Sequence, residues 1–324
     1  MNNRQRFHCA LNKEFPDRVP LFSEGFRDET MQIWRQQGLG HKSLTQIAHI
    51  DRYELIGPEL DPIPYPKTWP ENLSGIKDLK NRLDPSDRRR YPSRWKQKYL
   101  SYRHHDIVTF LCVHHGFFLS MGVNGWHRFD SVIDFLGTDP GFVHAQMELY
   151  SDFAGNIAEN ILSCCKVDAV YFSEPIGGND RPLLSPQMYQ EFVLQSYLPV
   201  IETVKKYDVQ NIILLTYGNI WPFLGLIIDA GFTCLWSCET NAPEMDYRHI
   251  RKVYGTDLGL IGGIDLDILR RDKKAIEQEL EQKLSVLLEP GNYIPLADGR
   301  IREDIPLENY LFYREKLYQM VKKG

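Results

Sequence analysis

The sequence predicts an α/β protein built as a single (β/α)8 TIM-type barrel. Seven short apolar runs lack the alternation of half-exposed strands, and such runs are typical of parallel strands buried on both faces. Longer stretches with helical spacing lie between the runs, and a length of 324 residues suits one barrel. We expect an eighth strand that the pattern does not reveal. A doubly wound open sheet is the alternative architecture.

The predicted strands are short and apolar. They are Arg18–Phe22, Ile107–Val113, Asp168–Phe172, Asn211–Thr216, Thr233–Trp236, Gly259–Gly262 and Tyr293–Leu296. Residues 39–102 are rich in Pro and Arg and poor in strand signals. We therefore expect an N-terminal insertion or cap after the first strand, within one domain that spans residues 1–324.

The predicted helices carry recognisable start and stop signals. Asp139 and Ser185 each precede a proline, which places an N-cap residue before the first helical position. The second of these helices is predicted to run to about Tyr207. The remaining helices are predicted at Met245–Tyr254, ended by Gly255, and at Ile276–Leu288 and Pro306–Val321.

Composition excludes several classes of protein. The net charge of −5 and the pI near 6.1 exclude a protein whose whole surface binds nucleic acid. No apolar run reaches the roughly 18 residues of a membrane span, and the first residues do not resemble a signal peptide. Six cysteines are too few for a disulfide framework, so we expect reduced thiols and a cytoplasmic protein. The sequence does not indicate the oligomeric state.

Polar residues follow the strands, and ligands of α/β barrels bind at the carboxyl ends of strands. Their recurrence predicts a polar pocket of mixed charge, and hence an enzyme. The residues at these positions are Glu24, Arg27, His114, His115, Glu174, Tyr217, Asn219, Cys238, Glu239, Asp265, Asp298, Arg300 and Arg302.

Aromatic residues make up 12% of the chain, and some of them also fall at strand ends. We expect these to line the cleft beside a small, partly apolar substrate. They are Phe26, Phe117, Phe118, Tyr217 and Trp236.

Metal ligands are not clustered along the sequence. Cys234 and Cys238 lie on one strand about 13 Å apart and cannot share a zinc ion. Cys112 and His114 are expected to share a strand face, with His115 on the other. A candidate metal set drawn from different strands consists of His114, Glu174, Cys238 and Glu239.

Several segments together resemble the uroporphyrinogen decarboxylase superfamily, and they cover nearly the whole chain. In chain order they are RQRFHCALNKEFPDRVPLF, LLSPQMYQEFVLQSYLPVIETVK, YGNIWPFLGLIIDAG, LGLIGGIDLDIL and GNYIPLADGRIREDIPLENY. The resemblance implies a single (β/α)8 barrel with its cleft at the strand carboxyl ends.

The chain departs from the true decarboxylases of that superfamily. Their first loop carries a methionine–arginine–glutamine–alanine–glycine–arginine stretch that grips a tetrapyrrole with many carboxylates. Here the equivalent stretch is FSEGFRDET, in which Arg27 is the one basic residue. Each lost arginine–carboxylate pair removes a strong contact, so a polyanionic substrate is disfavoured. The histidine expected around Asp298–Arg300 is also absent.

The resemblance implies instead a divergent methyltransferase, which moves a methyl group from a methoxylated aromatic or methylamine-like substrate to a corrinoid protein. Its thiol-methylating members bind zinc through a His-x-Cys pair that is replaced here by Leu215 and Tyr217. Under this hypothesis Glu174, Glu239 and His114 hold zinc or polarise the leaving group. The other expected roles are orientation of the substrate by Tyr217 and Asn219, and neutralisation of a carboxylate or phenolate by Arg300 or Arg302.

Two alternatives stay open at this point. One is a cofactor-free decarboxylase or lyase, in which Arg27, Arg300 and Arg302 bind a small acid while Asp265 or Asp298 transfers a proton. The other is a non-catalytic barrel that serves as a subunit of a corrinoid system. We take Glu174, Tyr217 and Asp298 as the catalytic candidates. The candidates for substrate binding are Glu24, Arg27, Asn219, Asp265, Arg300 and Arg302.

Overall fold

The computed structural model describes residues 1–41, 43–238 and 242–322. In this part of the chain, seven parallel strands form one curled sheet in which each strand pairs with the next along the sequence. They are β1 (Tyr53–Ile56), β2 (Val108–His114), β3 (Ala169–Glu174), β4 (Ile212–Tyr217), β5 (Cys234–Cys238), β6 (Gly259–Ile264) and β7 (Tyr293–Ala297). This order and the surrounding helices confirm the predicted α/β TIM-type barrel.

The helices cover the outer face of the sheet. In the described residues the α-helices are α1 (Asn3–Leu11), α2 (Asp28–Trp34), α3 (Leu44–Ile47), α4 (Ile76–Arg82), α5 (Trp95–His104), α6 (Phe117–Ser120), α7 (Trp126–Thr138), α8 (Pro140–Leu162), α9 (Pro186–Met188), α10 (Gln195–Lys205), α11 (Leu224–Ala230), α12 (Tyr247–Tyr254), α13 (Lys273–Leu287) and α14 (Leu307–Val321). None of these described helices is both long and apolar enough to cross a membrane.

The predicted first strand, Arg18–Phe22, is not part of the seven-stranded ladder. A proline precedes Leu21, and the Leu21 N–H donates to the Asp51 carboxylate at 2.9 Å instead of to a neighbouring strand. Further along, Phe26 forms a parallel bridge with Ile301, just beyond β7. The segment therefore occupies the gap between β1 and the end of β7, where an eighth strand would lie.

The strand that the sequence pattern did not reveal is β1, which lies inside the predicted insertion at residues 39–102. It has only four residues, and it carries Glu54 and a Leu55 that is 49% exposed, so no apolar run marks it. The pairing of Tyr53 with Val108 of β2 fixes its register. Part of the predicted insertion thus belongs to the barrel itself.

Residues 57–94, which follow β1, are organised around one buried cation. The Arg90 guanidinium is almost fully buried and donates to the main-chain carbonyls of Glu59, Asp61, Arg82 and Asp84 at 2.5–2.9 Å. Because each carbonyl is a strong acceptor, this arrangement compensates the desolvation of the charge and fixes the path of the loop.

The barrel interior is filled by a small core of its own, and helix α1 closes its lower end. Phe7, Ala10 and Leu11 of α1 pack against inward-facing strand residues. Those residues, together with Phe22 from the preceding segment, are Val108, Phe110, Ala169, Ile213, Cys234, Trp236, Ile261, Ile294 and Leu296. With the amino ends of the strands covered in this way, the carboxyl ends form the accessible mouth.

The predicted helix starts are confirmed by their caps. Asp139 accepts a hydrogen bond from the Phe142 N–H at 3.1 Å, and Ser185 accepts one from the Met188 N–H at 3.1 Å. The second helix runs through α9, a π-helical segment and α10 without interruption. Gly255, which follows α12, has a positive φ of 58°, as expected for a residue that ends a helix.

Replacing Ser185 with alanine should lower the free energy of unfolding by about 1 kcal/mol, because the N–H of Met188 loses its acceptor. Urea denaturation followed by circular dichroism measures the change. The control is Ser185→Asp, which keeps a side-chain acceptor and should remain close to the unmodified protein. An equal loss in both variants would contradict the capping role.

Candidate functional site

The mouth of the barrel lies at the carboxyl ends of the strands, where inward-facing residues become accessible. Along β4, Ile213 is buried in the inner core, Leu215 is half-buried and Tyr217 is 41% exposed. Because alternate residues of a strand face the same side, these three side chains trace the barrel axis towards solvent. Tyr217 therefore lies at the mouth, as the sequence predicted.

A carboxylate is held inside this mouth. Glu24 follows the inner-core residue Phe22 by two positions and is half-buried. The indole Nε1 of Trp236, a residue only 1% exposed, donates to Glu24 Oε1 at 2.7 Å. The adjacent Ser23 carbonyl accepts a hydrogen bond from the Tyr53 hydroxyl at 3.0 Å. Contacts from β1 and β5 thus fix the position of Glu24.

Three tyrosines from different strands surround the same region. Burial raises the pKa of Tyr171 far above its ordinary value, and Cys112, Tyr53 and Tyr217 raise it further. Burial also raises the pKa of the Cys112 thiol to about 11. Tyr171 and Cys112 are therefore neutral at physiological pH. The Trp236 ring that holds Glu24 lies 6.0 Å from the Tyr53 ring, between centroids. Sequence reasoning missed Tyr53 and Tyr171, because β1 had no apolar signal and Tyr171 lies within a strand and not after it.

The prediction that five aromatic residues line the cleft is wrong for three of them. Phe117 and Phe118 are buried in the outer core between sheet and helices. Phe26 packs edge-on against aromatic residues of α2 and α14. Tyr217 and Trp236 are the two members of that group that belong to the mouth.

Glu174 and His114 face the helix layer. The Glu174 carboxylate is fully buried, and it accepts hydrogen bonds from the Tyr197 hydroxyl and from the Phe117 N–H, the latter at 3.1 Å. Burial raises the pKa of Glu174 to about 7, although both hydrogen bonds oppose the shift. The imidazole of His114 lies 4.6 Å from the Tyr197 ring, between centroids, and burial holds its pKa well below the ordinary value.

The expectation that Cys112 and His114 share a strand face is wrong. The register of β2 against β3 shifts between these two residues, which marks a bulge. Cys112 consequently interacts with Tyr171, whereas the His114 ring packs against Tyr197. The bulge turns His114 towards the helices.

The candidate metal set stays a prediction. Glu239 and the side chain of Cys238 lie outside the residues that the structure describes. Over 1–41, 43–238 and 242–322, no three His, Cys, Asp or Glu side chains are grouped so that they could hold a metal ion. The described members, His114 and Glu174, share a tyrosine neighbour in the interior. We therefore assign no catalytic step to zinc.

Asp298 and Asn219 stabilise the loops at the mouth. The Asp298 carboxylate is almost fully buried and accepts the Gly263 N–H at 2.7 Å, which links the ends of β6 and β7. The Asn219 side chain accepts the Trp221 N–H at 2.9 Å and donates to the Asp180 carbonyl at 2.9 Å. Both side chains make hydrogen bonds to main-chain groups, and their catalytic and substrate-binding roles remain predictions.

The remaining predicted polar residues lie around the rim. Asp265 caps a short turn by accepting the Asp267 N–H at 2.8 Å, and Arg302 Nη1 lies 3.7 Å from the Asp267 carboxylate. Arg300 Nη2 donates to the Phe26 carbonyl at 2.9 Å. Arg27 is exposed at the amino end of α2. The Arg27 N–H donates to the Ile301 carbonyl at 3.1 Å, so the main-chain segments that carry Arg27, Arg300 and Arg302 run side by side at the rim.

The family of the chain is identified by a match between its sequence and a family model. The family model of uroporphyrinogen decarboxylase (URO-D) matches residues 119–315, which is more than half of the chain and includes β3 to β7. The chain belongs to the uroporphyrinogen decarboxylase family. This result confirms the resemblance that the ordered segments predicted.

One solved structure agrees with the fold expected for this family over the full length of the chain. A methyltransferase from Methanosarcina mazei aligns with a TM-score of 0.66 at 16% identity, covering 98% of this chain and 99% of that one. Xylanase B from Clostridium stercorarium F9 aligns with a TM-score of 0.40 at 14% identity, covering 68% and 76%. No curated protein matches the sequence. The first alignment supports a shared barrel fold over the full length of both chains.

Proposed function

We propose that this member of the uroporphyrinogen decarboxylase family is a methyltransferase that takes a methyl group from a small methylated amine and passes it to a corrinoid protein. The observation that carries the proposal is the Glu24 carboxylate, which Trp236 fixes at a mouth that also carries tyrosines from three strands. Family membership and the full-length fold likeness to a methyltransferase support it.

The chemistry of the mouth favours a cationic substrate. A methylated ammonium group gains electrostatic attraction from a carboxylate and from the faces of aromatic rings. A substrate with many carboxylates would instead meet Glu24, and Arg300 already donates to the Phe26 carbonyl. Between the two substrate types that the family resemblance implies, the described residues therefore favour the methylated amine over the methoxylated aromatic.

The transfer breaks one bond and forms another. The carbon–nitrogen bond of the substrate breaks and its electron pair stays on nitrogen, which loses its positive charge. The methyl carbon would bond to the reduced corrinoid of the partner protein, which would supply the electron pair of the new bond. Glu24 binds the ammonium group, and Tyr171 and Tyr217 orient the methyl group towards the open mouth. Because the charge on nitrogen disappears during transfer, Glu24 contributes to substrate binding more than to the rate of transfer.

A bound zinc ion is a prediction of the family resemblance alone, and no step of the proposed transfer depends on it. Elemental analysis of the purified protein tests it directly, and one zinc ion per chain is the expected result. Protein that transfers methyl groups at full rate without zinc would remove the metal from the proposal while leaving the transfer intact.

Methyl transfer is tested with the purified protein and chemically reduced cobalamin as acceptor. We expect methylation of the cobalt, followed by absorbance, with mono-, di- or quaternary methylamines, and loss of one methyl group from the amine by mass spectrometry. Methoxylated benzoates form the parallel set of substrates. Transfer from the methoxylated compounds alone would overturn the choice of amine, and no transfer from either set would overturn the methyltransferase assignment.

A further inference from the structure

Two adjacent cysteines lie beside a cavity at the end of helix α8, away from the mouth. Cys164 is exposed and Cys165 is 4% exposed, and their sulfur atoms are 3.7 Å apart. The cavity has a volume of about 310 Å³ and separates the end of α8 from α5. Its other lining residues include Tyr99, Arg103 and Lys166.

The separation of the two sulfur atoms fits chelation of one centre. Two sulfur ligands, each about 2.3 Å from a shared ion at the tetrahedral angle, are about 3.8 Å apart. A disulfide would require a separation of about 2.05 Å, and a linear two-coordinate ion would require about 4.6 Å by the same bond length. The observed sulfur–sulfur distance of 3.7 Å therefore matches a single atom or ion that binds both sulfurs at about the tetrahedral angle.

The surroundings provide two sulfur donors without a third protein ligand. Among the residues that the structure describes, no group of three His, Cys, Asp or Glu could complete a metal site. A suitable ligand must bring its remaining substituents with it. A monosubstituted trivalent arsenical does so, because its arsenic carries one carbon and forms two further bonds in a pyramidal arrangement.

Charge and access are consistent with such a ligand. Burial and the neighbouring Cys164 raise the pKa of Cys165 to about 12, so that sulfur is a thiol before binding. The charge of Lys96 acts in the opposite direction and lowers the pKa of Cys165, so it favours loss of the proton as the ligand binds. Arg103 and Lys166 are exposed residues that line the same cavity.

We propose that Cys164 and Cys165 form a chelating site for thiophilic centres that take two neighbouring sulfur ligands. For an arsenical, two arsenic–sulfur bonds form and two arsenic–oxygen bonds of the hydrated reagent break. Each thiol proton leaves in a molecule of water, and no oxidant or reductant takes part. The site lies before β3, at the opposite end of the barrel from Glu24, and the inference does not depend on the proposed methyl transfer.

The test uses the full-length reduced protein and phenylarsine oxide. Intact mass spectrometry should show one phenylarsenic group per chain, removed by ethanedithiol but retained in excess 2-mercaptoethanol. Cys164→Ser and Cys165→Ser should each weaken binding at least about 100-fold, because a single thiol lacks the effective concentration of a pair. Cys9→Ser, which changes a partly exposed thiol elsewhere, should bind as tightly as the unmodified protein.

Thermal unfolding checks that each serine variant is folded. Because Cys164 is exposed, Cys164→Ser decides the question even if the buried Cys165 does not tolerate replacement. An unchanged affinity in folded Cys164→Ser, or loss of the adduct in Cys9→Ser, would overturn the proposal.

Discussion

Replacing Glu174 with glutamine should make the free energy of unfolding much less dependent on pH between 4.5 and about 7. The unmodified protein should lose stability over this interval, and the variant should lose little. Burial raises the pKa of this carboxyl from 4.5 to about 7, so the folded chain keeps a proton that the unfolded chain has already released. The stabilisation is fully present below the unfolded pKa and is lost as the pH rises through the folded one. Over that interval Glu174 should account for a fall on the order of 3 kcal/mol.

Urea denaturation at a series of pH values measures this dependence. The carboxamide of Glu174→Gln is uncharged at every pH and can still accept from the Tyr197 hydroxyl, so its profile should be flatter than that of the unmodified protein. Glu202→Gln changes an exposed glutamate on α10 and serves as the matched control. If Glu174→Gln retains the full loss of stability between pH 4.5 and 7, the carboxyl is not the buried titrating group.

Local signals made the helices predictable from the sequence. Asp139 and Ser185 cap their helices through hydrogen bonds to residues three positions away, so a few neighbouring residues are enough to predict where each helix begins. The barrel strands β2 to β7 were similarly predictable, because burial on both faces requires continuous apolar runs. β1 escaped detection because its partly exposed Leu55 and polar Glu54 break any such run.

The site was predictable to a smaller extent, because side-chain direction depends on contacts between distant elements. Position after a strand correctly placed Glu24 and Tyr217 at the mouth. The same rule placed Glu174 and His114 there, yet Glu174 shares the strand face of Val170 and Phe172, which pack against the helices. The bulge in β2 turns His114 to the same side, and that bulge has no signal at the strand end itself.

Replacing Glu24 with glutamine should raise KM for a methylated amine roughly 10- to 100-fold while changing kcat only a few-fold. The substitution removes the charge that attracts the ammonium group and keeps the shape and the hydrogen bond from Trp236. Since the nitrogen becomes neutral as the methyl group leaves, the lost attraction belongs mainly to the bound substrate. Initial rates of cobalt methylation over a range of amine concentrations separate the two constants.

Two further variants distinguish binding from a merely structural role. Trp236→Phe removes the N–H that positions the carboxylate but keeps an aromatic ring, so it should raise KM less than Glu24→Gln does. Glu24→Asp retains the charge and should restore part of the affinity that Glu24→Gln loses. A structural defect would instead lower kcat and thermal stability together in all three variants. If KM for the amine is unchanged in Glu24→Gln, the carboxylate at the mouth does not bind the substrate cation, and the argument for an amine substrate fails with it.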